Sequence, residues 1–354
     1  MELRTLNSDI ANGAPGLRTR IEVLEGPLPP DLLQHICTLY GGNVDSRYSD
    51  LSFTRTVFNG NPAGRSYHAF AYSGETAIGC YSIIPLAISG SDLWAGKAEA
   101  LYVSEKHRPM GLFLMHRTHE FSISRGLEFI FGLTHERLGG TLERMGFTAF
   151  PRIMRYRSRL LRPGGKTSAK IWLSRAIQGG QNLLGAIVPK CLGAANATFH
   201  VNCADLLGHA LDTYGASEMF GKTGRVIAAN SPSLRWLTNL GRLEVVSTRE
   251  RSDELVLFSP SSRGGDAELI HCGIADGCLA NAVNLLTFLV NRAEGQGAAS
   301  LILNHEAIAH PELLRAATLL GFVPRNIKKT LYVKAAKPDF LARCNGDISG
   351  FLNL

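Results

Sequence analysis

Between Arg144 and Ala204 the chain has no aspartate or glutamate, yet that stretch carries Arg144, Arg152, Arg155, Arg157, Arg159, Arg162, Lys166, Lys170, Arg175 and Lys190. Elsewhere the charges nearly cancel, with fifteen acids and fifteen bases from Asp205 onward, so the net charge of +7 resides in one basic band. Other absences narrow the class. No apolar run reaches the ~18 residues of a membrane span, and residues 1–30 lack the basic, apolar, small order of a secretory leader. The seven cysteines form no Cys-x-x-Cys and no Cys/His cluster at zinc spacing, which speaks against a structural metal and for reduced thiols. The expectation is a cytoplasmic protein, with the band from 144 to 190 as a possible anionic contact peripheral to a membrane. Nucleic acid is not the expected partner, because the charges lack the aromatic interleaving of a stacking platform.

What is present is an α/β rhythm over 354 residues, a length that favours two domains. Pro29-Pro30-Asp31 starts a helix over Leu32 to Tyr40, with proline and acid in the first turn. Asp50 to Val57 reads as a short helix or an irregular segment ending in a turn, Tyr67 to Tyr72 and Ile78 to Ile84 as a hairpin, and Ala98 to Val103 as a strand. Lys170 to Leu184 could form a helix, which Gly179-Gly180 weakens. The second half repeats the first. Gly126 to Glu136 matches Gly297 to Glu306, each followed by a helix, a Gly-Phe pair (Gly146-Phe147, Gly321-Phe322), a Pro-Arg pair and a strand. That ordered series indicates duplication.

The chemistry concentrates in Leu101-Tyr102-Val103-Ser-Glu-Lys-His-Arg108-Pro109-Met110-Gly111-Leu112-Phe113. An apolar strand enters a short charged loop and then a helix near Gly111. Unpaired backbone N–H groups, a positive helix end and a residue without Cβ would meet where a phosphate could sit. A second strand (127–133) and a helix ending in Gly146-Phe147 follow. This series resembles the coenzyme A core of the GNAT (N-acetyltransferase) superfamily, and the two matched halves resemble its tandem arrangement. Phe53 to Gly64 and Ser231 to Trp236 look like the paired helix ends of such tandem proteins.

The resemblance implies an α/β (α+β) fold of two GNAT-like domains, each a mixed, mostly antiparallel twisted sheet flanked by helices. The expected organisation is an N-terminal lead-in (1–26), a CoA-binding domain (27–162), a basic linker (163–198), a degenerate second domain (199–340) and a tail (341–354). The second domain is called degenerate because Leu269 to Gly277 has no Arg-x-x-Gly. The resemblance also implies acetyl-CoA or another acyl-CoA as co-substrate and no metal. Leu101, Tyr102 and Val103 would bond the pantetheine arm, and Arg108 to Phe113 would wrap the pyrophosphate. Pro109 lacks an N–H, Phe113 replaces a small residue, and Leu142 stands where the family's thiolate acid is a tyrosine.

Transfer to an amine needs a proton acceptor and a donor for the departing thiolate. Glu99 on the strand and His135 at the end of the next are the candidates. His116, Arg117 and His119 read as surface or packing residues, and His305 with Glu306 as relics of duplication. The expected activity is acyl transfer from CoA to an amine of a small molecule or glycan lying between the halves. Alternatives are a Fem-type transferase using aminoacyl-tRNA, and an inactive pseudo-acyltransferase binding CoA or a polyanion.

Overall fold

The computed structural model describes residues 8–10, 19–41, 47–87, 94–134, 136–162, 168–192, 199–201, 231–248, 255–260, 265–272, 278–304 and 311–337. In chain order the first half comprises β1 (Ser8–Ile10), β2 (Thr19–Glu25), α1 (Pro30–Tyr40), α2 (Leu51–Asn59), β3 (Tyr67–Ser73), β4 (Thr76–Ala87), β5 (Trp94–Val103), α3 (Met110–Ser124), β6 (Phe129–Thr134), α4 (Glu136–Arg144) and β7 (Thr148–Leu160). Then follow α5 (Ser168–Cys191), β8 (Phe199–Val201), α6 (Ser231–Asn239), β9 (Glu244–Thr248), β10 (Leu255–Ser259), β11 (Asp266–Cys272), α7 (Leu279–Gly295), β12 (Ser300–Asn304), α8 (Pro311–Leu319) and β13 (Val323–Ala335).

The strands form one mixed sheet in the order β1-β2-β3-β4-β5-β6-β13-β7-β12-β11-β10-β9-β8. Its centre explains how the halves join. β13, from the end of the second half, lies antiparallel between β6 and β7 of the first. β7 in turn lies between β13 and β12, both from the second half. Each half thus lends its last strand to the other, and the backbone groups of both strands are satisfied across the exchange. The mixed, mostly antiparallel pairing matches expectation, but the two sheets are continuous. The expected boundary at residue 162 falls at the end of a strand that the other half encloses.

Helices cover both faces. Ile36, Val57 and Phe58 of α1 and α2 share one core with Trp236, Leu237 and Leu240 at the α6 end. The Trp236 indole donates to the Thr56 carbonyl at 2.9 Å, so the two helix ends matched in sequence meet in space. On the opposite face Met110, Leu114 and Leu142 cover the first half, and Leu286, Leu289 and Leu313 of α7 and α8 cover the second. Each such side chain removed from water contributes roughly 1.5–3 kcal/mol.

The duplication has a local physical basis. α4 and α8 end identically: Phe147 N–H bonds Leu142 O at 3.0 Å, and Phe322 N–H bonds Ala317 O at 2.9 Å. The intervening Gly146 and Gly321 have φ of 84° and 79°. These left-handed helix ends need glycine, and the following phenylalanine closes over the last turn.

Two expectations are corrected. The presumed lead-in contains β2, whose Ile21 and Val23 are buried and whose backbone pairs with β3 over seven residues. The presumed linker contains α5, 24 residues long, packed along β7 and α7. Residues 1–7 and 341–354 lie outside the described residues.

Two histidines sit fully inside the first half. His68 shares hydrogen bonds with Ser66 Oγ (2.6 Å) and Ser82 Oγ (2.8 Å), and His119 with the Tyr81 hydroxyl (2.9 Å). Burial pushes both from 6.5 down to about 3. The unfolded chain therefore binds protons on them that the folded chain refuses, so stability is complete above pH 6.5 and falls as pH drops toward 3. Each should cost about 1.5 kcal/mol between pH 6.5 and 5. Urea unfolding of wild type and His119→Gln tests this: the variant should lose one histidine's share of the slope, and equal slopes would refute the assignment.

Candidate active site

The sheet opens at the ends of its parallel pair. β5 and β6 pair only at Ala95–Lys97 with Phe129–Phe131. β5 continues to Val103, bonded to β4 but without a strand partner on its β6 side. Its register against β4 slips between Cys80 and Ser82, so that Tyr102 faces Cys80 while Glu99 faces Ser82. At that bulge Ala100 has φ of 51°, the positive value among described non-glycine residues, a conformation costing about 1–2 kcal/mol for an L-residue. Such strain gathers where a strand end is re-aimed for function. The result is a cleft at the carboxyl ends of two parallel strands, the usual ligand position in an α/β sheet.

The loop expected to hold phosphate borders this cleft. Ser104 N–H bonds Ile78 O at 2.8 Å, a short turn spans Glu105–His107, and α3 begins at Met110. α3 has no acidic residue in its first turn and no side-chain cap, which leaves its positive end uncompensated. Gly111 N–H and Leu112 N–H reach back to Arg108 O and Pro109 O at 3.1 and 3.3 Å, so part of the donor set is engaged locally. Arg108 pairs with Glu105 at 2.9 Å, both well exposed, and such a pair is cheap to exchange for another anion. At Gly111 an added Cβ would meet only Val103 Cγ2, at 3.5 Å. The fold does not require glycine there, and the space is left to whatever approaches the helix end. Met110 and Gly111 are buried, whereas Leu101, Leu112 and Phe113 expose two fifths of their surface or more. Tyr102 packs toward Tyr40 on the α1 face, with ring centroids 5.2 Å apart, and Val103 toward α3.

Glu99 points to the α1–α2 face and meets a network that sequence reasoning missed. Its carboxylate accepts from the Tyr48 hydroxyl and from Arg242 Nη2 at 2.8 Å, and Lys97 Nζ lies 3.2 Å away. Arg242 follows α6, so the second half supplies a cation to the first half's site. Lys97, Arg242 and the Tyr48 hydrogen bond outweigh burial and hold the Glu99 carboxyl far below the usual carboxylate range. Burial pushes Lys97 down, opposed by the Glu99 carboxylate that pairs with it. Glu99 therefore has little proton affinity. The expectation that it takes the amine's proton is corrected: its geometry is that of an anchor for Tyr48, Lys97 and Arg242. His135 lies outside the described residues, as do His305 and Glu306.

Leu142 is buried in the α3–α4 core and offers no proton. A hydroxyl nevertheless reaches that helix from the exchanged strand. Tyr332 of β13 places its hydroxyl against Gly139, where a Cβ would otherwise stand, three residues before Leu142. His119 is buried, whereas His116 is exposed and 3.5 Å from Glu120. Of the basic band, Arg157 bonds Thr318 Oγ1 (2.7 Å), and buried Arg159 bonds Leu320 O (3.1 Å) and Asn182 (3.3 Å). These two are taken up between β7, α8 and α5. Among the described residues no group of three or more His, Cys, Asp or Glu could hold a metal.

Sequence signals for the missed residues are faint. Tyr48, Lys97, Arg242 and Tyr332 belong to no local motif, and the first three come together only at Glu99.

No family model matches the chain, and no curated protein matches it. Solved structures do. A Saccharomyces cerevisiae N-myristoyltransferase with bound myristoyl-CoA is similar over 88% of this chain and 79% of its own, with a TM-score of 0.55 and 10% identity. A probable N-acyltransferase from Enterococcus faecalis matches over 92% and 75%, with 0.54 and 7%. A tandem GNAT protein from the clavulanic acid biosynthesis pathway matches over 90% of this chain and 99% of its own, with 0.51 and 12% identity. The chain has the tandem GNAT fold.

Proposed function

We propose that this protein is an acyl-CoA-dependent N-acyltransferase whose first half binds CoA. The observation that carries the reading is the cleft: two parallel strands that part beside an uncapped helix end, with a bulge at Ala100 and a glycine the fold does not need. The N-myristoyltransferase matched above holds a CoA thioester, and this chain's cleft offers the groups such a molecule requires. Backbone groups of Leu101 to Val103 would bond the pantetheine amides. Arg108 and the α3 end would meet the pyrophosphate, and Leu101, Leu112 and Phe113 would be covered by the bound molecule. Backbone N–H groups at the bulge, if turned to the thioester carbonyl, would polarise it as charge develops.

The amine would approach from the face that carries Glu99, with Tyr48 and Arg242 shaping its seat. Lys97, paired with the Glu99 carboxylate, would help to order this face, and the amine would lose its proton to water. Tyr332 would protonate the departing thiolate in place of Leu142. A second reading, a CoA-binding protein without turnover, is favoured by one observation, the buried Leu142.

Calorimetry should find one CoA site per chain. Gly111→Glu should abolish it by placing a carboxylate at the helix end while leaving the thermal midpoint within a few degrees. Two equal sites, or an unaffected variant, would overturn the assignment.

For the chemistry, Tyr332→Phe should lower kcat by about 100-fold with CoA affinity retained, the usual worth of a proton carrier. Glu99→Gln should reduce turnover without moving the acidic limb of the pH–rate profile, because that carboxyl does not titrate near neutrality. Near-normal turnover of Tyr332→Phe removes the residue from the mechanism. CoA binding with no transfer to any amine from wild type would establish the second reading.

A further inference from the structure

Helix α5 is inside out. The side it turns to the protein carries Ser174, Gln178, Gln181, Gly185 and Val188, at the three- and four-residue spacing of one helical face. Polar bonds fix it there. Gln181 donates to Gly321 O at 2.8 Å and accepts from Leu160 N–H at 3.0 Å, Gln178 donates to Leu161 O, and Asn182 accepts from Arg159. At Gly185 an added Cβ would lie 2.8 Å from the Arg159 guanidinium. The docking of α5 is therefore specific.

The solvent side is apolar. Trp172, Leu173, Ile177, Leu183, Leu184 and Ile187 are 71, 55, 43, 61, 41 and 47% exposed. At 100° per residue these six fall within an arc of about 140°. Leu192, just past the helix, extends the patch at 38% exposure. A contiguous apolar strip of this size marks an interface.

Charge identifies the occupant. Exposed Lys170, Arg175 and Lys190 lie along the strip and at its ends, with exposed Arg162 just before the helix. The sequence from 144 to 204 contributes no acid to this face. A second copy of this chain meeting face to face would bring these cations against their own kind. An anionic bilayer surface instead takes tryptophan and leucine at its acyl boundary and lysine and arginine at its headgroups. No described helix is long and apolar enough to cross a membrane, so this one would lie in the plane. We infer that α5 is an in-plane anchor that seats the protein on anionic membranes through Trp172, Leu183 and Ile187, with Lys170, Arg175 and Lys190 at the headgroups. The inference does not depend on the acyltransfer reading.

Flotation with phosphatidylcholine vesicles, with and without 30% phosphatidylglycerol, tests it on the full chain. Wild type should float with the anionic vesicles only, and 0.5 M salt should release most of it. Replacing Lys170, Arg175 and Lys190 by Gln should weaken partitioning on the order of 100-fold. Leu183→Ser with Ile187→Ser should abolish it at an unchanged thermal midpoint, because both side chains are exposed. Should that variant misfold, wild-type tryptophan emission gives an independent reading: brominated lipid should quench it, and Trp172→Phe should remove the quenched component. No flotation, equal flotation with neutral vesicles, or a solution dimer dissolved by the serine variant would each overturn the proposal.

Discussion

The pairing of β13 with both β6 and β7 is the interaction on which the rest of the molecule depends. A strand without neighbours leaves a row of N–H and C=O groups unsatisfied, and here each half leaves such a row that only the other half can fill. The exchange makes a duplicated chain one sheet. It also delivers side chains across the divide: Tyr332 to helix α4, and the arginines of β7 to α8 and α5. Arg242 reaches Glu99 from α6, whose indole contact with α2 locks the opposite face. The Glu99 network therefore draws on both halves.

Electrostatics decides how the site can work. A carboxylate between two cations and a phenol is stabilised in its charged form, and the same stabilisation removes its ability to accept a proton near neutrality. Glu99 thus becomes an organiser. Strain at Ala100 fits the same picture, because it sits at the bulge that sets Glu99 opposite Ser82.

The sequence was most legible where the physics is local. Helix ends at Gly146 and Gly321, the proline-led start of α1 and the loop from Leu101 to Phe113 all follow from contacts a few residues apart. Strand exchange was not legible, since nothing in Thr148–Leu160 or Val323–Ala335 says which strand will pair with which. The same holds for Tyr48 and Arg242, which meet Glu99 over separations of 51 and 143 residues. The docking face of helix α5 was not legible for another reason. Its inward face is built of glutamine, serine and glycine, so hydrophobic periodicity, which normally points to the core, points here to solvent.

The account rests most heavily on the interlocking of the halves, and co-expression of residues 1–165 with 166–354 as separate chains tests it most directly. The fragments should co-purify one to one and unfold in a single cooperative transition, while residues 1–165 alone should aggregate or remain unfolded. A first fragment that folds cooperatively by itself and binds CoA as the whole chain does would contradict it.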